Sequence, residues 1–405
     1  MFANLPRPLR WGLVVLTLAV VCLLVLASVV IFRLRSGINL GSQTTLPDAP
    51  APTTVALENY VTIDGLFLPP GFTISPFAEG LNGPRMLALG PDGELYVTER
   101  GAGRVLALPD EDGDGRADQL VVAAENLNAP SGLAFYQDGS LYVAEPGGVK
   151  KFTDRTPDGL YVNPQTIISG IPTSGHNTRT LLFSPDWQTL YVSIGSSCNV
   201  CIEEDQRRAA VVRYNPDGSG EALVARGLRN AVGLTLRPGT AEIWATNNGR
   251  DWLGDNLPPE TVYIIQDGGD YGWPRCHSGR ISDPEFGGPN ACDGVVQPQV
   301  EMQAHSAPLG LTFYSGDLFP EEYQGDLFIA FHGSWNRQEP TGYKIVRIPM
   351  QAGQPGPVED FAWGWLAADG KQLGRPVDVI TGPDGAMYVS DDQAGIIYRI
   401  AVSGQ

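Results

Sequence analysis

The sequence predicts an all-β fold, a six-bladed β-propeller preceded by a single N-terminal transmembrane helix. Three observations predict it: a hairpin pattern that returns six times, one long uncharged apolar stretch, and a composition rich in Gly and Pro. Each copy of the pattern is an apolar strand, a turn of the Pro-Asp-Gly kind and a second strand. It reads PRMLALGPDGELYVTER from Pro84, PSGLAFYQDGSLYVAE from Pro130, TRTLLFSPDWQTLYVSIG from Thr178 and PVDVITGPDGAMYVSDD from Pro376. Weaker copies start at Ala231 (AVGLTLRPGTAEIWATNNG) and Pro308 (PLGLTFYSGDLFPEEYQGDLFIAFHG). Tyr96, Tyr142, Tyr191, Trp244, Phe328 and Tyr388 mark equivalent points, mostly about 45 to 60 residues apart, which is the period of a propeller blade. Pro presets the first turn dihedral and Gly accepts positive φ, so the turns are chemically specified. Hairpins that cannot bury their own faces bury them by closing into a ring.

Before the first blade, residues 11–32 (WGLVVLTLAVVCLLVLASVVIF) carry no charge and are long enough to cross a bilayer core. A secretory signal has a shorter apolar core and a small-residue cleavage site, and Val21 before Cys22 does not fit a lipoprotein box. Residues 1–35 are therefore read as an uncleaved signal anchor. Residues 36–59, with SQTTLPDAPAPTT, are read as a flexible Pro/Thr-rich linker, and residues 60–405 as the propeller. Arg7 and Arg10 on one flank balance Arg33 and Arg35 on the other, so charge does not set orientation.

The cysteines do. Beyond Cys22 there are Cys198, Cys201, Cys276 and Cys292, which pair most simply as Cys198–Cys201 and Cys276–Cys292. A zinc site is the competing reading, with unlike spacings and no matching His arrangement against it. Disulfides place the domain outside the cytoplasm, periplasmic or extracellular, with the membrane reached through the N-terminal helix. The formal charge of −18 excludes a nucleic-acid-binding surface.

In a blade the first strand runs along the ring axis and the second returns antiparallel. The loop entering the first and the loop leaving the second therefore share one face. Entering loops include SGHNTRT (174–180), ARGLRNA (225–231), QAHSAPL (303–309) and KQLGRPV (371–377). Leaving loops include GSSCNVC, NNGRDWLGD, HGSWNR and DDQAG. These loops hold His176, His305 and His332, three of the four histidines, and Arg179, Arg229, Arg250, Arg337 and Arg375. An acidic chain that gathers His and Arg at one end of its axis makes a polar site suited to a small anionic ligand. Taken singly, each of these residues could equally be a structural hydrogen-bonding group.

A second motif, DEDGDGRAD from Asp110, places Asp110, Asp112, Asp114 and Asp118 at positions 1, 3, 5 and 9 of an EF-hand-like loop, with Gly115 at position 6. Position 12 is Val121 rather than Glu, which excludes a helical EF-hand. A structural calcium is expected there, on the face opposite the site.

The motifs GSSCNVC, NNGRDWLGDNLPPE, YGWPRCHSGRISDPEFG, QAHSAPLGL and HGSWNR…TGYKIVRIP resemble the soluble-type, pyrroloquinoline quinone (PQQ)-dependent sugar dehydrogenases, specifically the sorbosone dehydrogenase-like branch. The resemblance runs from Leu68 to the C-terminus and covers neither anchor nor linker. It implies PQQ and calcium as cofactors and His176 as the base. It implies Arg229 and Asn230 as quinone contacts, and the Asn248-Gly249-Arg250 carbonyls as calcium ligands. Asp251 and Asp255 would add carboxylate oxygens to that ion. Arg375 matches the first of two family arginines, with Val377 where the second would stand. A family Lys is absent, with Asn336 and Arg337 near its place, and His305 replaces a Thr.

The implied activity is oxidation of an aldose or sorbosone-like aldehyde by hydride transfer to PQQ. Cys201 is followed by Ile202, so no haem-attachment motif exists and electrons pass to a separate quinone or cytochrome. Two other classes stand beside it: a calcium-dependent lactonase-type hydrolase, which would use Asp and Glu at the axis, and a non-catalytic binding propeller on the cell surface.

Overall fold

A computed structural model describes residues 60–404 together with Ala51. The anchor at 1–35 and nearly all of the linker at 36–59 lie outside the described residues. Among the described residues no helix is long and apolar enough to cross a membrane.

Each predicted hairpin forms the first two strands of one sheet, and six sheets make the ring. Blade 1 is Pro84–Leu89, Leu95–Glu99, Arg104–Leu108 and Val121–Ala124. Blade 2 is Leu133–Phe135, Leu141–Glu145, Gly148–Phe152 and Gln165–Ile168. Blade 3 is Arg179–Phe183, Leu190–Ile194, Ala210–Tyr214 and Ala222–Arg226. Blade 4 is Leu234–Leu236, Ile243–Asn247, Glu260–Ile264 and Val300–Met302. Blade 5 is Pro308–Phe313, Leu327–Phe331, Lys344–Ile348 and Glu359–Trp363. Blade 6 takes Pro376–Thr381, Met387–Asp391 and Ile396–Val402 from the C-terminus and its outermost strand, Phe72–Ala78, from the other end of the domain.

That strand closes the ring. Just before it, the hairpin Val61–Ile63/Leu66–Leu68 extends blade 5, where Phe67 stacks on Trp363 with ring centroids 4.0 Å apart. One stretch of chain thus strides from blade 5 to blade 6.

The repeated aromatic is the second residue of every second strand and wedges between blades. Tyr96 meets Phe135 edge to face at 4.7 Å, Tyr142 meets Phe183 at 5.0 Å, and Trp244 meets Phe313 at 5.3 Å. Each such pair contributes about 0.5–1.5 kcal/mol beyond its area burial.

Nearer the axis the seams are polar. Thr98 donates to the Ser131 carbonyl (2.7 Å), Ser131 to the Arg179 carbonyl (2.9 Å), Thr246 to the Leu309 carbonyl (2.6 Å) and Ser390 to the Arg85 carbonyl (2.6 Å). Inner strands approach so closely there that a Cβ on Gly233 would collide with the Leu309 carbonyl, and one on Gly310 with Asp378. This is the physical reason for the Gly inside the repeats that begin at Ala231 and Pro308.

Both disulfides form as paired above, which removes the zinc alternative. Cys276–Cys292 pins the long excursion 265–299 between the last two strands of blade 4. Gly269–Asp270 of that excursion pairs in parallel with the edge of blade 3.

Candidate active site

Where the entering and leaving loops meet on the axis they enclose a cleft of about 330 Å³. Of the residues assigned from sequence, His176, Arg229, Asn230, Gly249, Asp251, His305 and Arg375 line it, as do His332 and Asn336.

His176 is held by its Nδ1, which lies 3.1 Å from the Ser196 carbonyl and 3.0 Å from Ser196 Oγ. A carbonyl only accepts, so Nδ1 carries the hydrogen and Nε2 keeps its lone pair. Ser196 Oγ in turn donates to the Cys198 carbonyl (2.6 Å), which ties the tautomer to the Cys198–Cys201 loop. Burial, then the charge of Arg229, lowers the His176 pKa to about 4 against the opposing Ser196 hydrogen bond. The imidazole is therefore neutral at neutral pH, an available proton acceptor rather than a cation.

Arg229 is clamped on all sides. Nε donates to the Asn199 carbonyl (2.9 Å), Nη1 to the Gly249 carbonyl (2.6 Å), and Nη2 to Asn199 Oδ1 (3.0 Å) and Asp251 Oδ2 (2.8 Å). Arg375 sits over the Tyr343 ring and donates to the carbonyls of His332 and Gly333, both at 3.1 Å. Arg85 donates to Asp392 at 2.7 Å, and the same carboxylate accepts from His332 Nε2 at 2.9 Å. Burial lowers the His332 pKa to about 4, and Asp392 raises it too weakly to compensate. The Asp392 carboxyl lies at about 2, because its bonds to His332 and the charge of Arg85 outweigh its burial.

Several assigned residues do other work. Arg250 turns away from the cleft into a buried pair with Asp283 (Nη1 to Oδ2) and a bond to Glu285 (3.1 Å), because the 265–299 excursion presents carboxylates behind it. Asp255 accepts from the Gln338 backbone N–H (3.3 Å) and is not a cleft residue. Arg337 donates to Asn256 Oδ1 (3.1 Å) and not into the cleft. Arg179 spends its guanidinium on the carbonyls of Pro172, His176 and Thr178. His305 lines the cleft, but its Nε2 donates to the Gly254 carbonyl (2.8 Å) and its backbone has φ 66°. Of the residues expected to hold calcium, then, Asn248, Gly249 and Asp251 line the cleft, whereas Arg250 and Asp255 do not.

In the loop that joins the last two strands of blade 1, Asp110, Asp112 and Asp118 can converge on one point, whereas Asp114 does not join them. Asp114 instead accepts from the Arg116 N–H (2.8 Å). The loop ends the third strand, so it lies at the opposite end of the blade from the cleft.

Three members of the site carried no assignment. Arg85 follows Pro84 at the entry to blade 1, a position comparable to Arg375 before Pro376, and the entering loops of the other blades could have pointed to it. Glu260 opens the otherwise apolar strand ETVYI; its carboxylate accepts from the Gly249 N–H (2.7 Å), and burial raises its pKa to about 7. Asn199 lies between two cysteines and organises Arg229 and Asp251, and nothing in its local sequence marks that role.

The sequence model of the TrAA12-like family matches residues 66–279 and 287–403. The chain belongs to that family. A pyrroloquinoline quinone-dependent pyranose dehydrogenase of Coprinopsis cinerea is 26% identical over 397 residues, covering 82% of this chain and 54% of its own length. The chain thus spans about half the length of that curated relative. Two solved structures share the fold. One is a calcium structure of the Trichoderma reesei carbohydrate-active enzyme of family AA12, with TM-score 0.72 and 22% identity over 86% of this chain and 100% of its own. The other is the holo form of the C. cinerea pyranose dehydrogenase PQQ domain, with TM-score 0.71 and 23% identity over 87% of this chain and 99% of its own.

Proposed function

We propose that this family member oxidises a sugar or sugar-derived aldehyde with PQQ as its resident cofactor. The observation that carries the reading is the neutral, tautomerically fixed His176 facing a cleft lined by Arg85, Arg229 and Arg375. That donor set fits a flat tricarboxylate. Arg85 and Arg375 keep guanidinium N–H groups for paired charge-assisted hydrogen bonds to carboxylates, whereas Arg229, held by Asn199, Gly249 and Asp251, contributes chiefly its charge. The buried Arg85 Nε has no protein partner and is free for such a carboxylate. PQQ, when bound, supplies the two-electron acceptor. Calcium would be held by the Asn248 and Gly249 carbonyls and the Asp251 carboxylate, hard oxygen donors of which the last two now accept from Arg229, and would supply Lewis acidity toward a quinone oxygen.

The protein's own residues do the rest. His176 Nε2 accepts the proton of the substrate hydroxyl, that of the cyclic sugar or of the hydrated aldehyde, as hydride leaves the same carbon. Ser196 holds the ring so that the acceptor lone pair stays in the cleft. Arg229 and Arg375, fixed by carbonyl groups, present charge without the cost of reorganising it. A calcium-dependent hydrolase reading finds less support, because the cleft offers His, Arg and Asn more than converging carboxylates.

Sorbosone-like substrates, an external quinone or cytochrome acceptor, and attachment to a membrane through residues 11–32 complete the proposal. The test is reconstitution of the full chain with PQQ and calcium, following the quinone absorbance as aldoses and sorbosone are added. Bleaching by one of them is expected, and His176→Ala should lower turnover by about 10²–10⁴-fold while retaining PQQ. Failure to bind PQQ would overturn the reading. Normal turnover of a PQQ-loaded His176→Ala would remove His176 from the base role.

A further inference from the structure

Trp252 and Trp335 are the two tryptophans left exposed among the described residues, at 53% and 67%. They come from the leaving loops of blades 4 and 5 and pack against each other edge to face, with ring centroids 5.3 Å apart and planes at 86°. Trp252 adopts φ 70°, a left-handed backbone that bulky side chains avoid, so its surroundings impose the conformation. Trp335 lines the cleft, and so does Asn336 beside it. Both polar atoms of the Asn336 side chain are buried with no hydrogen-bond partner.

We propose that Trp335, braced by Trp252, forms with Asn336 a pyranose-binding subsite at the mouth of the cleft. The proposal rests on the function above, since the bound ring is the sugar to be oxidised. An indole face offers a negative quadrupole to the C–H groups on the apolar side of a pyranose ring, and it loses unfavourable hydration when covered. A carboxamide offers one acceptor and two donors, which suits two neighbouring hydroxyls. The cofactor's charged groups belong with Arg85, Arg229 and Arg375 on the walls, which leaves the aromatic lip to the neutral, amphipathic partner. Continuity of Trp335 and Asn336 with the cleft favours a sugar over a protein partner. The residues next to them, Gln338 and Glu339, are exposed and polar rather than part of a broad apolar face.

The full chain is used as wild type and as Trp335→Ala, Trp252→Ala and Asn336→Ala. Tryptophan fluorescence is titrated with D-glucose, D-galactose and cellobiose. PQQ affinity and the steady-state KM and kcat for the same sugars are measured on the same preparations. The expected result is a sugar-dependent fluorescence change that Trp335→Ala abolishes. KM should rise about 10-fold or more in Trp335→Ala, the size of one lost aromatic contact, with a smaller rise in Trp252→Ala. PQQ affinity should stay unchanged in Trp335→Ala and Trp252→Ala. The subsite is overturned if sugars leave wild-type fluorescence unchanged, or if Trp335→Ala keeps the wild-type KM. It is also overturned if Trp335→Ala alters saturation by the electron acceptor alone. A protein that binds these sugars but not PQQ would refute the dehydrogenase function and leave the subsite standing.

Discussion

Asn199→Ala tests how the site is held together. The side chain makes three hydrogen bonds: Oδ1 accepts from Arg229 Nη2 (3.0 Å) and from the Asp251 N–H (2.7 Å), and Nδ2 donates to the Asp251 carbonyl (3.1 Å). Alanine keeps the backbone carbonyl that accepts from Arg229 Nε and Trp273 Nε1. What is lost is one bond to a guanidinium only 6% exposed and both bonds to the Asp251 backbone. Leaving a buried donor unsatisfied costs about 1–3 kcal/mol, and water from the cleft can replace part of the remainder. The total comes to about 2–4 kcal/mol. That cost divides between global stability and the placement of Arg229 and Asp251. If half falls on placement, PQQ affinity drops about 5- to 30-fold at 1.4 kcal/mol per decade. The assay is an absorbance titration of the apo protein with PQQ, alongside thermal unfolding of the same sample. A folded Asn199→Ala that binds PQQ within about threefold of wild type would show that the Arg229 clamp does not depend on Asn199.

Glu260→Gln should become relatively more stable as pH rises. The folded carboxyl titrates near pH 7, above its ordinary 4.5. Its burial therefore costs nothing below about pH 4.5 and up to about 3 kcal/mol above pH 7, a cost that glutamine removes. Thermal unfolding of both forms in chelator at pH 5 and pH 8 checks this; an unchanged difference between the two pH values refutes it. Replacing Cys276 and Cys292 together by Ser opens a loop of sequence separation 16, and unfolding in denaturant should show a loss of about 3 kcal/mol. A midpoint unchanged by that pair of substitutions would mean that packing alone holds the excursion.

What the sequence carried was the part written in local pattern. Turn chemistry and the aromatic of the second strand recur in every blade because each solves the same packing problem, and the loops between them necessarily share a face. His176, His305 and His332 follow from that geometry. Long side chains escaped it. Arg250 and Arg337 start from the right loops, but their guanidinium groups go to partners supplied by distant segments: Asp283 from the blade 4 excursion and Asn256 from the neighbouring loop. Glu260 looked like a strand residue because it is one, and its importance comes from burial beside Gly249. Ring closure by Phe72–Ala78 depends on pairing with Ile396–Val402 across more than three hundred residues, which no local period encodes.

The cleft and the ring are one construction, because each cleft cation is held by another part of the circle. Arg85 of blade 1 is fixed by Asp392, which follows the second strand of blade 6. Arg375, entering blade 6, is fixed by carbonyl groups that follow the second strand of blade 5. Arg229, entering blade 4, is fixed by Asn199 from blade 3 and Asp251 from blade 4. Asn248 then reaches on to the Pro308 carbonyl at the start of blade 5 (2.7 Å). No single blade could position these groups, and a shift at any seam would move a cation out of register with its neighbours. The strand and hairpin at 61–78 span blades 5 and 6, so they brace the seam that Arg375 crosses. Preorganised charge in a site of this kind is therefore a property of the closed ring, and the polar seam bonds near the axis serve the chemistry as much as the fold.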